Sequence, residues 1–424
     1  MSRVSMMFAK WSLMSTLLCA AASRAEAAAG SITAVASFGS NPAGLRMWKY
    51  VPPGMPSNAP LVLALHACSQ QAADYVKAGW NELADQYKFY VVYPEQTTAN
   101  NGLTCFNWAG GNSNPLTGEN DPANLTRGQG ENLSIKQMVD QMKSDYSIDA
   151  SRVFITGLSA GGAETALMMA TWPDVFAAGA PIAGVPYHCT TNKNQVYSPC
   201  LTPGSNLTPK QWGDYVRAAY TGYSGPYPRV SIWQGSKDSL VNPDNTVEMM
   251  KQWTDAHGIG QTPSVSDMLA GNPHAAYHDA SGVTVIETVQ ITGMDHGVAI
   301  DPKHGCGTAA PYILDEGVCS SYYIGQFFGI INGAPAGDGG VGPTDDGGVY
   351  IPSYDGGVYV PAYDGGLHYV PSDGGAHSTP PPASHCGCDT APGAASAREE
   401  LAALLIFAAI ALFAGLSRFL LARQ

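Results

Sequence analysis

Ser159 lies at the centre of Gly157-Leu158-Ser159-Ala160-Gly161, a G-x-S-x-G pattern. A short β-type run, VFIT, precedes the pattern, and a helix-type run, GAETALMMATW, follows it. A strand that turns sharply into a helix presents its serine hydroxyl above the sheet, and glycines on both sides give the turn the room it needs. The pattern therefore predicts a serine nucleophile for acyl transfer.

A serine hydroxyl needs a general base, and hydrolase folds of this kind supply a histidine late in the chain. His296 follows the last predicted strand, within the glycine-flanked turn Gly293-Met294-Asp295-His296-Gly297. It is the preferred base. Surface positions are expected for the other candidates: His257 ends a helix, His304 follows the turn, and two more lie in a predicted polar loop, His274 and His278.

The acid of the triad should follow an earlier strand, on a loop at its carboxyl end. Asp238 occupies such a loop, in Gly235-Ser236-Lys237-Asp238, and would hold the tautomer of His296. Asp244 is the alternative, although its place before a predicted helix favours a capping role. Asp295 is too close in sequence to reach its neighbour's ring.

An oxyanion hole needs two backbone N–H groups. One should come from Ala160, the residue after the nucleophile, and the other from the loop after the strand that ends at His66. Cys68 is the preferred second donor, and a disulfide to Cys105 would hold its loop rigid.

The elements that must position these residues alternate between strand and helix. Buried strands are predicted at Leu61–His66, Phe89–Tyr93, Val153–Gly157, Val230–Gln234 and Val283–Thr292. Helices are predicted at Trp80–Tyr87, Ile135–Tyr146, Ala160–Thr171 and Asn245–His257. This alternation predicts an α/β fold with a doubly wound, mostly parallel sheet and helices on both faces, over residues 31–332.

Six of the nine cysteines lie in this region. An even number in an exported chain favours disulfides, and six cysteines allow 15 pairings. The favoured set is Cys68–Cys105, Cys189–Cys200 and Cys306–Cys319, of which the last two close short loops. No Cys/His spacing typical of zinc occurs, so no metal is expected.

The two ends differ from the middle of the chain. Residues 1–27 have the basic, apolar and small-residue regions of a secretory signal. Residues 334–385 are rich in Gly, Pro, Asp and Tyr and repeat every nine residues from Asp346, which predicts a disordered spacer rather than a weak calcium-binding array. Residues 386–424 join Cys386 and Cys388 to an apolar helix at 401–422, which predicts a sorting or membrane-anchoring segment.

Charge excludes one class of partner. The formal net charge is −13, and no basic cluster interrupts the middle of the chain, so nucleic acid is not an expected ligand. The mechanism above needs no metal or organic cofactor.

Longer strings carry a resemblance to a known family. LHACSQQAADY, VVYPEQ, CFNW, SIWQGSKDSLVNP, ITGMDHG and the segment from Val153 to Cys189 resemble, in order, the polyhydroxybutyrate depolymerase family of α/β-hydrolase esterases. That family is similar to feruloyl and acetylxylan esterases. The family usually has glycine where this chain has Ala67. The tail resembles the myxobacterial sorting signal, which implies attachment at the outer membrane or cell surface.

The resemblance implies Ser159, Asp238 and His296 as the triad, with Cys68 and Ala160 at the oxyanion hole. It also matches Trp108 to an aromatic residue that lines the acyl crevice, for which plain core packing is the alternative. The expected function is therefore an exported esterase, with a monomeric catalytic domain, acting on polyhydroxyalkanoates or alternatively on feruloylated or acetylated polysaccharide. An inactive binding protein and a surface adhesin are the alternatives of another class.

Overall fold

The computed structural model describes residues 31–114, 119–202, 207–332, 358–361 and 367–370. The first ten strands are β1 (Thr33–Val35), β2 (Arg46–Tyr50), β3 (Ala59–Leu65), β4 (Tyr90–Glu95), β5 (Gly111–Asn114), β6 (Glu119–Asp121), β7 (Ile148–Leu158), β8 (Ala178–Ile182), β9 (Arg229–Gly235) and β10 (Val265–Leu269). The others are β11 (Asn272–His278), β12 (Thr284–Ile291), β13 (Val298–Ile300), β14 (Ile313–Asp315), β15 (Val358–Pro361) and β16 (Leu367–Val370). The helices are α1 (Ala72–Tyr75), α2 (Trp80–Tyr87), α3 (Gly130–Asp145), α4 (Ala160–Thr171), α5 (Pro209–Ala219), α6 (Asn245–Ala256) and α7 (Ser320–Phe328).

Ten strands form one sheet in the order β1-β2-β4-β3-β7-β8-β9-β12-β11-β10. The six from β4 to β12 in that order run parallel, and antiparallel strands extend the sheet at both edges. Two large apolar clusters cover the two faces of strand β3: Val62 and Ala64 belong to one, and Leu61, Leu63 and Leu65 to the other. This is the predicted doubly wound α/β fold.

The parallel core fixes the place of any active site. The carboxyl ends of parallel strands meet at one edge of a sheet, where loops can bring together residues from distant parts of the chain. Strands β3, β7, β9 and β12 end at Leu65, Leu158, Gly235 and Ile291, so the loops that follow them meet at that edge.

Two parts of the observed sheet differ from the sequence prediction. Strand β8 was not predicted, because its sequence, AGAPI, contains neither β-branched residues in a run nor a favourable place for Pro181. The strand is nevertheless fully buried between β7 and β9. The predicted loop containing His274 and His278 is instead strand β11, which pairs with β10 and β12.

The chain divides into two units, and the second contains the pair formed by β15 and β16. These antiparallel strands lie in the repeat segment, where the sequence predicts a spacer without secondary structure. The VYVP and LHYV stretches contain the β-branched and aromatic residues that favour strands. The predicted signal segment and the segment 386–424, with Cys386 and Cys388, lie outside the described residues. None of the helices in the described part of the chain is long and apolar enough to cross a membrane.

Candidate active site

The turn between β7 and α4 places Ser159 in a strained conformation. Its φ of 58° and ψ of −116° lie in a region that side-chain-bearing residues rarely adopt. The turn closes only because of its glycines: a Cβ at Gly157 would lie 2.5 Å from the carbonyl oxygen of Gly161, and one at Gly161 would lie 2.5 Å from that of Leu65. The half-buried Ser159 hydroxyl makes no capping hydrogen bond to α4, so it is not engaged by its own helix.

His296 lies in the turn after β12 and is 6% exposed. Its Nδ1 is 2.8 Å from Oδ2 of Asp238, which lies in the loop after β9. The two side chains are buried together, with exposed fractions of 5% and 0%. The structure thus joins the predicted base to the predicted acid.

The surroundings of Asp238 fix the tautomer of His296. Asp238 accepts three further hydrogen bonds, from Nε2 of Gln234 at 2.7 Å and from the amides of Leu240 and Val241 at 2.9 and 2.8 Å. A carboxyl that faces only donors is an ionised acceptor. Nδ1 of His296 therefore carries the proton, and Nε2 is left free to accept one.

Among the described residues, no hydrogen bond or ion pair joins Asp244, the alternative acid, to His296. The side chain of Asp244 is exposed and makes no capping hydrogen bond, although its carbonyl oxygen accepts the amides of Val247 and Glu248. Asp244 thus occupies the predicted N-cap position of α6, but its side chain makes no capping hydrogen bond.

Asp295 holds the turn that carries His296, the predicted base. Its Oδ1 accepts the amides of His296 at 2.7 Å and of Ser239 at 2.8 Å. Partial burial raises its pKa, but these hydrogen bonds outweigh that effect and hold the pKa of Asp295 below its ordinary value. The carboxylate thereby joins the turn of the base to the loop of the acid.

Two backbone N–H groups are available beside Ser159. No hydrogen bond among the described residues is donated by the amide of Ala160, the first residue of α4, or by that of Cys68. The loop after β3 carries Cys68 and lies against the nucleophile turn, since a Cβ at Gly161 would be 2.7 Å from the carbonyl oxygen of His66. Both expected oxyanion donors therefore lie next to the nucleophile turn with their hydrogens unused.

The three disulfides are the favoured pairings: Cys68–Cys105, Cys189–Cys200 and Cys306–Cys319. The first ties the loop after β3 to the loop after β4. The second closes a loop beside a small apolar cluster whose buried members are Ala163, Val185, Cys200 and Val241.

Trp108 packs against this apolar cluster and is half-buried. Ala163 lies one turn beyond Ser159 on α4, and Val241 donates its amide to Asp238, so the cluster borders the reactive groups. A half-buried indole on such a cluster is suited to an apolar acyl or alcohol group.

The profile of the family described as "Esterase PHB depolymerase" matches residues 45–265. The chain belongs to that family. Its members are esterases, and this chain is a carboxylic ester hydrolase with the α/β-hydrolase fold.

Curated relatives and one solved structure agree with the family. The chain is 55% identical to poly(3-hydroxyalkanoate) depolymerase C of Paucimonas lemoignei, over 71% of this chain and 70% of the relative. It is 37% identical to feruloyl esterase B of Neurospora crassa, over 62% of this chain and 86% of the relative. An acetyl xylan esterase structure from Aspergillus awamori aligns with a TM-score of 0.59 at 28% identity, covering 71% of this chain and all of the other.

Two residues that support the candidate site, Gln234 and Glu131, carry no recognisable sequence motif. Gln234 holds Asp238, the predicted acid, and the buried Glu131 organises the loop that carries Cys105 and Trp108. Gln234 lies in a predicted strand and Glu131 near the start of a helix, so no local pattern marks either one. Among the described residues no group of three or more His, Cys, Asp and Glu side chains could hold a metal ion.

Proposed function

We propose that this chain hydrolyses the ester bonds of poly(3-hydroxyalkanoate) chains or oligomers. The observation that carries the proposal is the 55% identity to a poly(3-hydroxyalkanoate) depolymerase, against 37% and 34% to a feruloyl and an acetylxylan esterase. The apolar cluster beside Trp108 supports it, since a polyhydroxyalkanoate presents aliphatic groups on both sides of each ester.

In this proposal Ser159 attacks the ester carbonyl while Nε2 of His296 takes its proton. Asp238 stabilises the imidazolium through the 2.8 Å contact to Nδ1. The amides of Cys68 and Ala160 hold the oxyanion of the tetrahedral intermediate. The imidazolium then protonates the leaving alcohol, and a water activated by His296 releases the acid from Ser159.

We further propose that the reaction takes place outside the cell, at the cell surface. The three disulfides support export, because such bonds persist in oxidising compartments. The predicted signal at 1–27 and the tail at 386–424 would provide export and attachment. Fractionation of cells with Cys386 and Cys388 replaced by serine tests the attachment: enzyme that stays in the membrane fraction would refute a role for these cysteines.

The substrate experiment compares the full chain with Ser159→Ala, both expressed with export to an oxidising compartment. The substrates are hydroxybutyrate oligomers, poly(3-hydroxybutyrate) suspension, methyl ferulate, acetylated xylan and p-nitrophenyl butyrate. We expect the highest kcat/KM on hydroxybutyrate oligomers and loss of all turnover in the variant. A clear preference for ferulate or acetylated xylan would replace the proposed substrate, and turnover that persists in Ser159→Ala would refute the nucleophile.

A binding protein or adhesin built on the same fold predicts a different result. It predicts no turnover by well-folded wild-type protein on any of these esters, together with adsorption to polymer or cells. Measuring adsorption of wild type and Ser159→Ala in parallel separates binding from catalysis.

A further inference from the structure

The peptide between Ala67 and Cys68 is held from its carbonyl side by His66. In a trans peptide the C=O and N–H groups point in opposite directions, so fixing the oxygen of Ala67 also fixes the direction of the Cys68 N–H. Nδ1 of His66 lies 2.7 Å from that oxygen. The Cys68 amide is one of the two donors assigned to the oxyanion, and this inference therefore rests on the proposed function.

The tautomer of His66 follows from its second partner. The backbone amide of Gln96 lies 3.1 Å from Nε2 and can only donate, so Nε2 is unprotonated and Nδ1 carries the hydrogen. The ring is fully buried, and burial lowers the pKa of His66 below its ordinary value. A neutral His66 thus donates to Ala67 and accepts from Gln96.

Gln96 is in turn held by one buried carboxylate. Its Nε2 donates to Oε1 of Glu131 at 2.6 Å and to the carbonyl oxygen of Cys105 at 3.0 Å. Glu131 also accepts Nδ2 of Asn100 at 2.7 Å, the amide of Asn107 at 2.7 Å and the side-chain amide of Asn107. All of these partners are N–H donors.

Glu131 is therefore linked by hydrogen bonds to two parts of the site, the loop of Cys68 and the segment that carries Trp108. One route runs through Gln96 and His66 to the Cys68 amide. The other runs through the Asn107 amide to the neighbouring Trp108. The carboxylate has no exposed surface, and this burial raises the pKa of Glu131 to about 6. Its N–H donors and the dipole of α3, in whose first turn it lies, oppose that rise and favour the negative charge.

We propose that Glu131 is a positioning residue of the oxyanion hole, which sets the Cys68 amide through Gln96 and His66. Charge is essential to this role, because four donors converge on two oxygens. In Glu131→Gln one of these oxygens becomes an NH₂ group that faces donors. The loop must then shift, and the amide moves away from the position that the oxyanion occupies.

Glu164 provides a matched control. It lies on α4, is also fully buried, and neither of its oxygens has a hydrogen-bond partner. Burial raises its pKa well above the ordinary value, and the charge of Glu131 adds to that shift, so the neutral form of Glu164 is favoured. Glu164→Gln therefore replaces one neutral group by another of the same shape.

The test uses the full chain with p-nitrophenyl butyrate and with a trifluoromethyl ketone carrying the same acyl chain. Ser159 adds to the ketone carbon, its proton passes to His296, and the ketone oxygen becomes the anion held by the two amides. For Glu131→Gln we expect kcat to fall roughly tenfold to a hundredfold, KM to change less than twofold, and Ki for the ketone to rise by the same factor as kcat falls. Glu164→Gln should match wild type in all three.

The outcomes separate the two proposals. A folded Glu131→Gln with wild-type kcat and ketone Ki, or with KM raised and kcat unchanged, overturns the positioning role. If that variant does not fold, Gln96→Met is the test. It keeps the backbone donor to His66 but removes the side-chain amide that donates to Glu131. We expect the same changes in kcat and ketone Ki as for Glu131→Gln, but smaller ones. Wild-type kinetics in Gln96→Met would overturn the inference. Wild-type enzyme that the ketone does not inhibit would instead count against the proposed oxyanion mechanism itself.

Discussion

Asp238 and His296 are separated by 58 residues in sequence, yet their side chains share a 2.8 Å contact and are almost fully buried. The pair forms because β9 and β12 are parallel neighbours, so the loops after them begin side by side. Gln234, Leu240 and Val241 donate hydrogen bonds to the carboxylate of Asp238, so its position does not depend on a bound substrate. The imidazole of His296, the proposed base, is therefore oriented before substrate arrives.

Asp238→Asn tests this pairing directly. An amide can present its NH₂ to His296 and stabilise the tautomer with the proton on Nε2, which cannot act as the base. We expect kcat to fall by about four orders of magnitude with little change in KM. Steady-state kinetics on p-nitrophenyl butyrate would measure this, with the exposed Asp244→Asn as the control. The assignment of the acid fails if Asp244→Asn, rather than Asp238→Asn, abolishes turnover.

Gly235, the last residue of β9, lies close to the turn that carries His296. A Cβ at this position would meet the carbonyl oxygen of Met294 and lie 2.5 Å from that of Asp295. Gly235→Ala should push the turn of the base away from the acid and lower kcat by about tenfold or more, since small misplacements in an active site are costly. Gly260→Ala, where nothing lies within 4 Å, should have wild-type kinetics. Equal kinetics in the two variants would show that the loops tolerate the displacement.

The disulfide between Cys68 and Cys105 closes a loop of 37 residues. The chain-entropy argument gives a stabilisation of about 4 kcal/mol at most for such a loop. Replacing both cysteines by serine should lower Tm and also lower kcat, because the freed loop carries an oxyanion donor. Replacing Cys306 and Cys319 should lower Tm without a comparable effect on kcat. Thermal melts and kinetics of both variants are the measurement, and equal losses of kcat would argue against a special role for the first bond.

Trp108 is expected to act on substrate choice. Trp108→Ala should reduce kcat/KM by about tenfold on hydroxybutyrate oligomers and much less on p-nitrophenyl acetate, which is too small to fill an extended apolar crevice. Parallel kinetics on the two substrates would show the difference. A uniform loss on both, accompanied by a lower Tm, would favour the alternative in which the indole serves only as core packing.

His274 gives a pH-dependent contribution to stability. Its Nδ1 is 2.6 Å from Asp267 and its Nε2 is 3.4 Å from Glu287. Burial lowers its pKa, but hydrogen bonds and charge from the two carboxylates outweigh that effect, so the pKa of His274 is raised above 6.5. A raised pKa in the folded state means that protonation stabilises the fold, so the contribution is complete below pH 6.5 and is lost as pH rises through the folded pKa.

The corresponding experiment is chemical denaturation of wild type and His274→Gln at pH 5.5 and pH 9. We expect the free energy of unfolding of wild type to exceed that of the variant by about 1 kcal/mol at the lower pH, and by less at the higher pH. His304→Gln removes the more exposed pair with Asp301 and should lower the free energy of unfolding at pH 5.5 by less than His274→Gln does. A difference that grows with pH would contradict the assigned charge state.

The sequence by itself determined the elements whose signal is local. The nucleophile turn is one, since strand, glycines and helix are contiguous around Ser159. Ala160–Thr171 and Trp80–Tyr87 have the predicted helix bounds, and the five predicted core strands occur within a few residues of their expected ends. Steric and hydrophobic patterns over five to fifteen residues were enough for these elements.

Only the tertiary structure decided how those pieces meet. It showed that Asp238 contacts His296, because strand order rather than sequence spacing brings their two loops together. It also showed that the side chain of Asp244 makes no capping hydrogen bond. It placed β8, whose composition opposes a strand, at the centre of the sheet, where its small residues fit: a Cβ at Gly179 would strike Met169. It also gathered Gln96, Asn107 and Glu131, which no local pattern connects, since a buried carboxylate is stable only where the fold supplies its donors.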